Sequence, residues 1–364
     1  MRGLLPGIPR MTAPAIRRPH DQLSRLAAAL FSAAGMEAEK AEAVGRLLVL
    51  TDMMGRSTHG LAQLGAYLDQ LERGLMEGGG EPETLRDTGG TVVWDGGYRP
   101  GLWLMERALA LGFERLPRHG TFTLAMRKSH HIGCLAAIAK AATDRGYLAI
   151  IASSGPHTKI VAPFGGKEGL FSPNPFAIGF PTSESPVLVD ISSSITSLSQ
   201  TRERAAAGRM FENPWVLDSE GRPSRDPSVV EGGEGRGSLM LLGGTDAGHK
   251  GFGLALMVEA LTGGLAGHGR REGPTRWGAN VFLQLIDPDA FAGREAFLAQ
   301  MDFLADAVRA SPPINPDAPV RLPGDRAARL IAVAEAEGVP VPAPLAQALR
   351  GHAARLGVEA GVLD

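Results

Sequence analysis

The stretch Asp52-Met53-Met54-Gly55-Arg56-Ser57-Thr58-His59-Gly60 interrupts two helical patterns, and the rest of the chain is organised around it. Apolar residues recur at helical spacing on both sides, at Ala41, Val44, Leu47 and Leu48 before it and at Leu61, Leu64, Leu68 and Leu71 after it. Histidine has an unperturbed pKa near neutral pH, so His59 beside the Thr58 hydroxyl is suited to moving a proton. A polar turn whose histidine caps the following helix is the alternative, and this stretch alone leaves both interpretations open.

The composition is that of a globular protein with one large domain or two domains. The chain has 364 residues, and its 44% of hydrophobic residues supplies enough apolar material for a core. A formal net charge of −2 gives no reason to expect nucleic acid or an anionic membrane as a partner. No uninterrupted apolar run is long enough for a transmembrane helix.

The chain contains one cysteine, Cys134. An intrachain disulfide and a zinc site built from thiolates are therefore excluded, and a reducing, cytoplasmic location is expected. Residues 1–20 lack the apolar run of a secretory signal. We interpret Cys134 itself as a packing residue on an apolar helix.

The order of apolar patterns predicts an α/β fold in which the central part of the chain forms the α/β domain. A first helix is predicted from residue 21 until Gly35 stops it, and further helices over 37–51, 60–73, 101–117, 134–145, 251–265, 294–310, 325–337 and 343–356. Strands are predicted over 91–95, 122–126, 147–152, 187–190 and 281–286. Residues 200–250 are predicted to be irregular and polar. We assign residues 1–120 and 305–364 to a mainly helical part in which the two ends of the chain pack together, and residues 121–304 to the α/β domain.

Several common catalytic and nucleotide-binding motifs are missing. The chain contains no Gly-x-Gly-x-x-Gly and no P-loop, so a bound nucleotide would be held without a Rossmann turn. Without Gly-x-Ser-x-Gly, a Ser/His/Asp hydrolase is a distant alternative. Without His-Glu-x-x-His, and with His130 and His131 predicted on opposite faces of a strand, no metal site is expected.

Eight motifs in the same order resemble the malate/L-lactate dehydrogenase family, which has a non-Rossmann NAD(P)-binding fold. That family also includes ureidoglycolate dehydrogenase, diketogulonate reductase, sulfolactate dehydrogenase and a cyclic-imine carboxylate reductase. The resemblance covers roughly residues 23–349. The motifs are residues 52–60, 129–133, 174–175, 188–194, 215–218, 226–227, 248–254 and 322–325.

The resemblance implies a role for individual residues of this chain. His59 matches the proton donor, Asp190 the acid that orients and charges it, and Thr58 a relay hydroxyl. The implied contacts with NAD or NADP are His131, Ile132, Gly133, Gly179, Phe180, Pro181, Lys250, Pro323, Gly324, Asp325 and Arg326. The implied contacts with a small-molecule substrate are Gln63, His131 and Asn174, and the family's usual assembly implies a homodimer.

Physical chemistry is consistent with these roles but leaves local alternatives open. Hydride addition to a carbonyl creates an alkoxide that a neighbouring imidazolium can protonate, and a carboxylate beside the imidazole raises its pKa. Lys250 can instead be a solvated charge in a loop, and Asp190 can be a carboxylate that caps the serines after it. His131 can be a core residue whose ring nitrogens are hydrogen-bonded within the protein.

The sequence departs from the family at the position that usually grips the substrate carboxylate. Gln63 stands where the family has an arginine, and Met54 and Pro173 replace an arginine and a threonine. A neutral amide cannot replace a bidentate guanidinium. Either another cation, such as Arg56, Lys128 or Lys159, takes this role, or the substrate is not a simple 2-keto acid.

The sequence therefore predicts an NAD(P)-dependent oxidoreductase that transfers hydride to or from the 2-position of a small 2-hydroxy or 2-keto acid. A reductase of cyclic imino acids is the near alternative, since the same histidine would protonate the imine nitrogen. A cofactor-binding homologue without this activity is the alternative from another class. The choice between NAD and NADP is left open.

Overall fold

A computed structural model describes residues 15–233 and 235–364, and it contains a seven-stranded sheet with helices packed on it. The expectation about a secretory signal falls largely on residues 1–14, which lie outside the described residues. The strands are β1 (Ala15–Arg18), β2 (Glu83–Asp87), β3 (Thr91–Asp95), β4 (Thr121–Ser129), β5 (Leu148–Ser154), β6 (Phe176–Phe180), β7 (Val187–Ile191), β8 (Val216–Leu217), β9 (Pro223–Ser224), β10 (Ser238–Leu239), β11 (Ala279–Ile286) and β12 (Val339–Pro342).

The α-helices form layers around this sheet, and apart from α6 and the start of α7 their bounds lie close to those that the apolar periodicity predicts. They are α1 (His20–Ala33), α2 (Ala38–Met53), α3 (Leu64–Glu72), α4 (Gly101–His119), α5 (Leu135–Thr143), α6 (Leu198–Ala206), α7 (Gly244–Glu259), α8 (Arg294–Arg309), α9 (Asp325–Glu337) and α10 (Ala343–Leu356). Helix α7 continues as a π-helical turn over Ala260–Gly264. Within the described ranges, no helix is both long and apolar enough to cross a bilayer.

The large sheet has the order β2-β3-β4-β11-β5-β6-β7. Strands β3 and β4 are parallel, which the intervening helix α4 makes possible, and the other neighbouring pairs are antiparallel. Strand β11 lies between β4 and β5, although it is far from both in sequence. Helices α4 and α5 bury one face of the sheet in a core that includes Trp103, Phe122, Leu124 and Leu283.

A second core joins the two ends of the chain. Strand β1 pairs with β12, and apolar residues of α1, α2, α3 and α10 pack together around Phe31 and Tyr67. This confirms the α/β fold with an associated helical part built from the N- and C-terminal segments. The exact division at residues 120 and 305 stays a prediction.

One prediction about residues 200–250 is wrong. This segment was expected to be irregular, but it begins with α6 and also supplies the small sheet β10-β8-β9. Helix α6 buries only Thr201, and its first turn is capped by the Ser197 hydroxyl, which accepts from Gln200 N–H. A polar helix without an apolar stripe carries no periodic signal, so hydrophobic patterning misses it.

Candidate active site

A tight turn after helix α2 holds the histidine on which the sequence analysis centres. Gly55 has a left-handed φ of +73°, and Ser57–His59 form a 3₁₀ turn. Asp52 Oδ2 accepts the Leu61 N–H at 2.8 Å, so this carboxyl ties the two ends of the turn together. A side chain at Gly60 would overlap the same carboxyl group. Burial raises the pKa of Asp52 to about 7, against the hydrogen bond from Leu61.

Thr58, His59 and His131 come together in the folded chain. Thr58 Oγ1 lies 3.0 Å from Nδ1 of His59, which orients the ring. The His59 and His131 rings stack with their centroids 5.8 Å apart and their planes at 28°. No hydrogen bond from the described residues reaches Nε2 of His59, so this nitrogen is left for a ligand.

Tyr67 determines the protonation of His131. Its hydroxyl lies 2.6 Å from Nδ1 of His131. Burial raises the pKa of the Tyr67 phenol and lowers the pKa of His131 to about 3, so both groups are uncharged at neutral pH. We assign the phenol as the donor to Nδ1, and in that tautomer the single imidazole proton of His131 lies on Nε2. His131 is thus a fixed hydrogen-bond donor rather than an acid.

Trp277 closes one side of this histidine cluster. The centroid of its ring lies 4.7 Å from that of the His130 ring and 5.6 Å from that of the His131 ring. His130 is fully buried, and neither of its ring nitrogens has a hydrogen-bond partner among the described residues. Burial, together with the positive charge of Arg276, lowers the pKa of His130 to about 3. A neutral, aromatic wall therefore lines the cleft beside His131.

Asp190 lies behind the cluster, where β7 ends beside the first turn of α5. Its Oδ2 accepts the Ala136 N–H at 3.0 Å, and the Cys134 thiol lies 3.6 Å from the same oxygen. Burial lowers the pKa of His59, the charge of Asp190 raises it, and the charge of Arg56 lowers it, with a net shift downward. The expected upward effect of Asp190 is therefore present, but burial outweighs it.

The residues that the resemblance connects with the cofactor form two groups. Ile132 is buried, and Gly133, with φ of +67°, turns the chain into α5. At the sheet edge, Gly179 pairs with Leu188, whose N–H donates to Pro323 O at 2.9 Å. This hydrogen bond brings residues 179–181 and 323–326 together at the sheet edge. Gly179 itself packs closely on helix α5, since a side chain added there would contact the helix.

Two of these residues are cations without partners. The Lys250 and Arg326 side chains are exposed and form no ion pair or hydrogen bond within the described ranges. A side-chain carbon at Gly55 would lie 3.3 Å from Nη1 of Arg326, which places this guanidinium beside the His59 turn. Unpaired cations near glycine-bearing turns suit the phosphates of a dinucleotide.

The side-chain amides of Asn174 and Gln63, which the resemblance connects with the substrate, already form hydrogen bonds within the chain. Asn174 is fully buried with φ of +43°; it donates to Glu259 Oε1 at 2.8 Å and accepts from Ser172. Its amide joins α7 to the sheet and is not available to a ligand. Gln63 Nε2 donates to Thr58 O at 2.7 Å, so this amide supports the turn that holds His59.

Sequence reasoning did not assign Tyr67 or Trp277 to the site. Tyr67 lies on the apolar stripe of α3 and therefore has the pattern of a core residue. Trp277 lies in an irregular segment before β11, far along the chain from His131. A lone tryptophan in such a segment carries no periodic signal, and only the folded chain brings it to the histidines.

Comparison with known proteins identifies the family to which most of the chain is similar. The family model for malate/L-lactate dehydrogenase matches residues 19–350. Hydroxycarboxylate dehydrogenase B of Escherichia coli strain K12 is 29% identical over 337 residues, which cover 91% of this chain and 91% of that protein. The (2R)-3-sulfolactate dehydrogenase (NADP(+)) of Chromohalobacter salexigens is 34% identical over 247 residues, 66% of this chain and 70% of its own.

A solved structure shares the fold. The delta1-piperideine-2-carboxylate reductase of Pseudomonas syringae pvar. tomato superposes with a TM-score of 0.82 and 24% identity, covering 93% of this chain and 99% of that one. The shared architecture agrees with the seven-stranded sheet and the joined terminal helices described above. Because the family model spans nearly the whole described chain, this protein belongs to the malate/L-lactate dehydrogenase family and is an oxidoreductase.

Proposed function

We propose that this protein transfers hydride between NAD(P) and the 2-position of a small 2-hydroxy or 2-keto acid, with His59 as the general acid and base. The observation that carries the proposal is the cluster of Thr58, His59 and His131, in which Nε2 of His59 has no hydrogen-bond partner among residues 15–233 and 235–364. A positioned acid or base of this kind contributes about 10²–10⁴ in rate.

When bound, the nicotinamide supplies or accepts the hydride. In the reducing direction, the His59 imidazolium donates its Nε2 proton to the substrate oxygen as negative charge develops there. In the oxidising direction, neutral His59 takes the hydroxyl proton. Thr58 orients the ring through Nδ1, and the charge of Asp190 stabilises the imidazolium. His131, with its proton on Nε2, donates a hydrogen bond into the cleft.

The lowered pKa of His59 predicts a difference between the two directions. Oxidation needs the neutral imidazole, which is the dominant form at neutral pH. Reduction needs the imidazolium, so its rate increases as the pH falls toward the pKa of His59. The sign of this effect follows from burial, which disfavours the charged form.

The cations at the edge of the cleft fit the cofactor. Lys250 and Arg326 would hold its phosphates, and the adjoining Gly179–Pro181 and Pro323–Arg326 segments would line its path. The name of the Chromohalobacter relative supports NADP as one candidate, and NAD is the other. Tryptophan fluorescence titration with NADH and NADPH distinguishes them.

The test is loss of reduced-nicotinamide absorbance with a panel of 2-keto acids and cyclic imines, using His59→Gln beside the parent. We expect turnover to fall by about 10²–10⁴ in the variant while cofactor binding is retained. The exposed His20, at the start of α1, provides the matched control as His20→Gln. Equal turnover in His59→Gln and the parent would show that His59 is not the acid.

The runner-up function is reduction of a cyclic imino acid, in which His59 would protonate nitrogen. The fold shared with the delta1-piperideine-2-carboxylate reductase favours it as the second candidate. Preference for cyclic imines over every 2-keto acid in the same panel would establish it. Cofactor binding without turnover of any compound would instead indicate a homologue that has lost this activity.

We further propose a cytoplasmic homodimer. Helix α8 buries only Ala305 within the chain but exposes Phe303 and Leu304, which supports a contact with a second copy. Light scattering on the parent and on Phe303→Glu tests the assembly. A parent that is monomeric at micromolar concentration would contradict it.

A further inference from the structure

A 2-keto or 2-hydroxy acid brings a carboxylate into the cleft beside His59, and that charge needs a partner. A guanidinium that donates two parallel hydrogen bonds is the strongest common partner for a carboxylate. Gln63 does not take this role, since its Nε2 already donates to Thr58 O at 2.7 Å. The anchor must therefore come from another residue near the catalytic turn.

Three other cations, Lys128, Arg127 and Arg270, are already paired with carboxylates. Lys128 Nζ and Arg127 Nε lie 3.1 and 2.8 Å from Asp95 Oδ2. On the other side of the cleft, Arg270 pairs with Glu259 at 2.8 Å. A cation held by a carboxylate of its own chain has little attraction left for a substrate carboxylate.

Arg56 differs from these residues in both position and partners. It directly precedes the Ser57–His59 turn, and its carbonyl oxygen accepts the His59 N–H at 2.9 Å. This backbone bond closes one 3₁₀ turn, so Arg56 lies within one turn of His59. That side chain is exposed and forms no ion pair or hydrogen bond with residues 15–233 or 235–364.

The electrostatic effects of Arg56 agree with this placement. Its charge lowers the pKa of His59 and also the pKa of the Cys134 thiol, which lies 3.6 Å from Asp190. The charge of the guanidinium therefore acts on His59. Arg326 lies beside Gly55 but has no such effect on His59, which leaves it for the cofactor.

We propose that Arg56 is the substrate-carboxylate anchor of this protein and determines its specificity for acids whose carboxylate adjoins the reacting carbon. The proposal rests on the proposed function. A carboxylate held by Arg56 places the neighbouring carbonyl oxygen at Nε2 of His59. Ketones without that carboxylate lack the anchor and are poor substrates.

The experiment measures binding of oxamate, an unreactive analogue of a 2-keto acid, to the protein in complex with reduced cofactor, by calorimetry. Arg56→Gln is expected to weaken oxamate binding by about ten- to a hundredfold, as loss of charge-assisted hydrogen bonds does. Arg56→Lys is expected to retain part of the affinity, because the charge remains and the bidentate geometry is lost. Arg25→Gln, which removes an exposed arginine paired with Asp21 at 2.7 Å, is the matched control.

Kinetics and pH dependence provide a second readout. With the best 2-keto acid of the panel, Arg56→Gln should increase KM much more than it lowers kcat. Removing the Arg56 charge should also move the alkaline limb of the reduction profile, on which the rate falls as His59 loses its proton, to higher pH, because this charge lowers the pKa of His59. A purely structural role for Arg56 would predict neither result.

The outcomes separate this proposal from the proposed function. If Arg56→Gln binds oxamate and turns over 2-keto acids as the parent does, the anchor assignment is wrong and the proposed function stands. If the parent binds reduced cofactor but neither binds oxamate nor reduces any 2-keto acid, the proposed function is wrong, and the anchor role is overturned with it. Retained cofactor binding shows that the variants are folded.

Discussion

Replacing Tyr67 by phenylalanine removes one hydroxyl from the centre of the candidate site. In the parent, this buried hydroxyl donates to Nδ1 of His131 at 2.6 Å. His131 is half-buried, and its Nδ1 faces the fully buried Tyr67 side chain. Leaving a buried acceptor unpartnered costs about 1–3 kcal/mol. The free energy of unfolding of Tyr67→Phe should therefore fall by about that amount.

The same change should affect catalysis, because the hydroxyl also determines which His131 nitrogen carries the proton. Without it, the proton can move to Nδ1, and the donor directed into the cleft is lost. We expect kcat/KM to fall by about tenfold, which corresponds to about 1.4 kcal/mol of transition-state stabilisation. Cofactor binding and the secondary structure should remain.

Urea unfolding and steady-state kinetics on one preparation measure both effects. Tyr147→Phe is the matched control, since Tyr147 is half-buried, stacks on Phe113 and makes no hydroxyl hydrogen bond with the described residues. It should change neither quantity appreciably. If Tyr67→Phe is as stable and as active as Tyr147→Phe, the tautomer assigned to His131 is wrong.

Three further predictions concern the surroundings of the histidines. Gly101→Ala places a side chain against the backbone carbonyl of His130 and should destabilise the protein by about 1–3 kcal/mol, whereas Gly351→Ala, with open space in α10, should stabilise it by up to about 1 kcal/mol, both measured by urea unfolding. The pKa of His130 in the folded protein is about 3, below its ordinary value of 6.5. As the pH falls from about 6.5 toward 3, only the unfolded chain gains this proton, so the free energy of unfolding decreases. The urea midpoint of His130→Asn should therefore fall less between pH 7 and pH 5 than that of the parent, and identical pH dependence would contradict this. Asp190→Asn keeps an acceptor for helix α5 but removes a charge that raises the pKa of His59, so the alkaline limb of the reduction profile should move to lower pH, and an unchanged profile would exclude this coupling.

Local signals in the sequence were enough to predict most of the helices and the central turn. The predicted helices over residues 325–337 and 343–356 are observed with the same bounds, as is the strand Thr91–Asp95. His59 lies at the break between helices where periodicity placed it. These features depend on the spacing of apolar residues within one or two turns, which a single sequence displays.

The motifs also identified side chains that meet in the folded chain, but not how they are bonded. Thr58 and His59 contact each other as expected, and Asp190 acts on His59 through its charge. Asn174, assigned to the substrate by resemblance, instead uses its amide to join α7 to the sheet. The sequence could not show this, because the partner, Glu259, lies far along the chain.

The sequence by itself determined the α/β class, the helical ends of the chain and the position of the turn that holds His59. Only the tertiary structure decided that β11 lies between β4 and β5, that Tyr67 and Trp277 enclose His131, and that the pKa of His59 is lowered on balance. The physical reason is the separation along the chain of the residues involved, because helix periodicity depends only on residues that are neighbours in sequence. Strand order, burial and the electrostatic environment of an imidazole are properties of residues that meet only after folding.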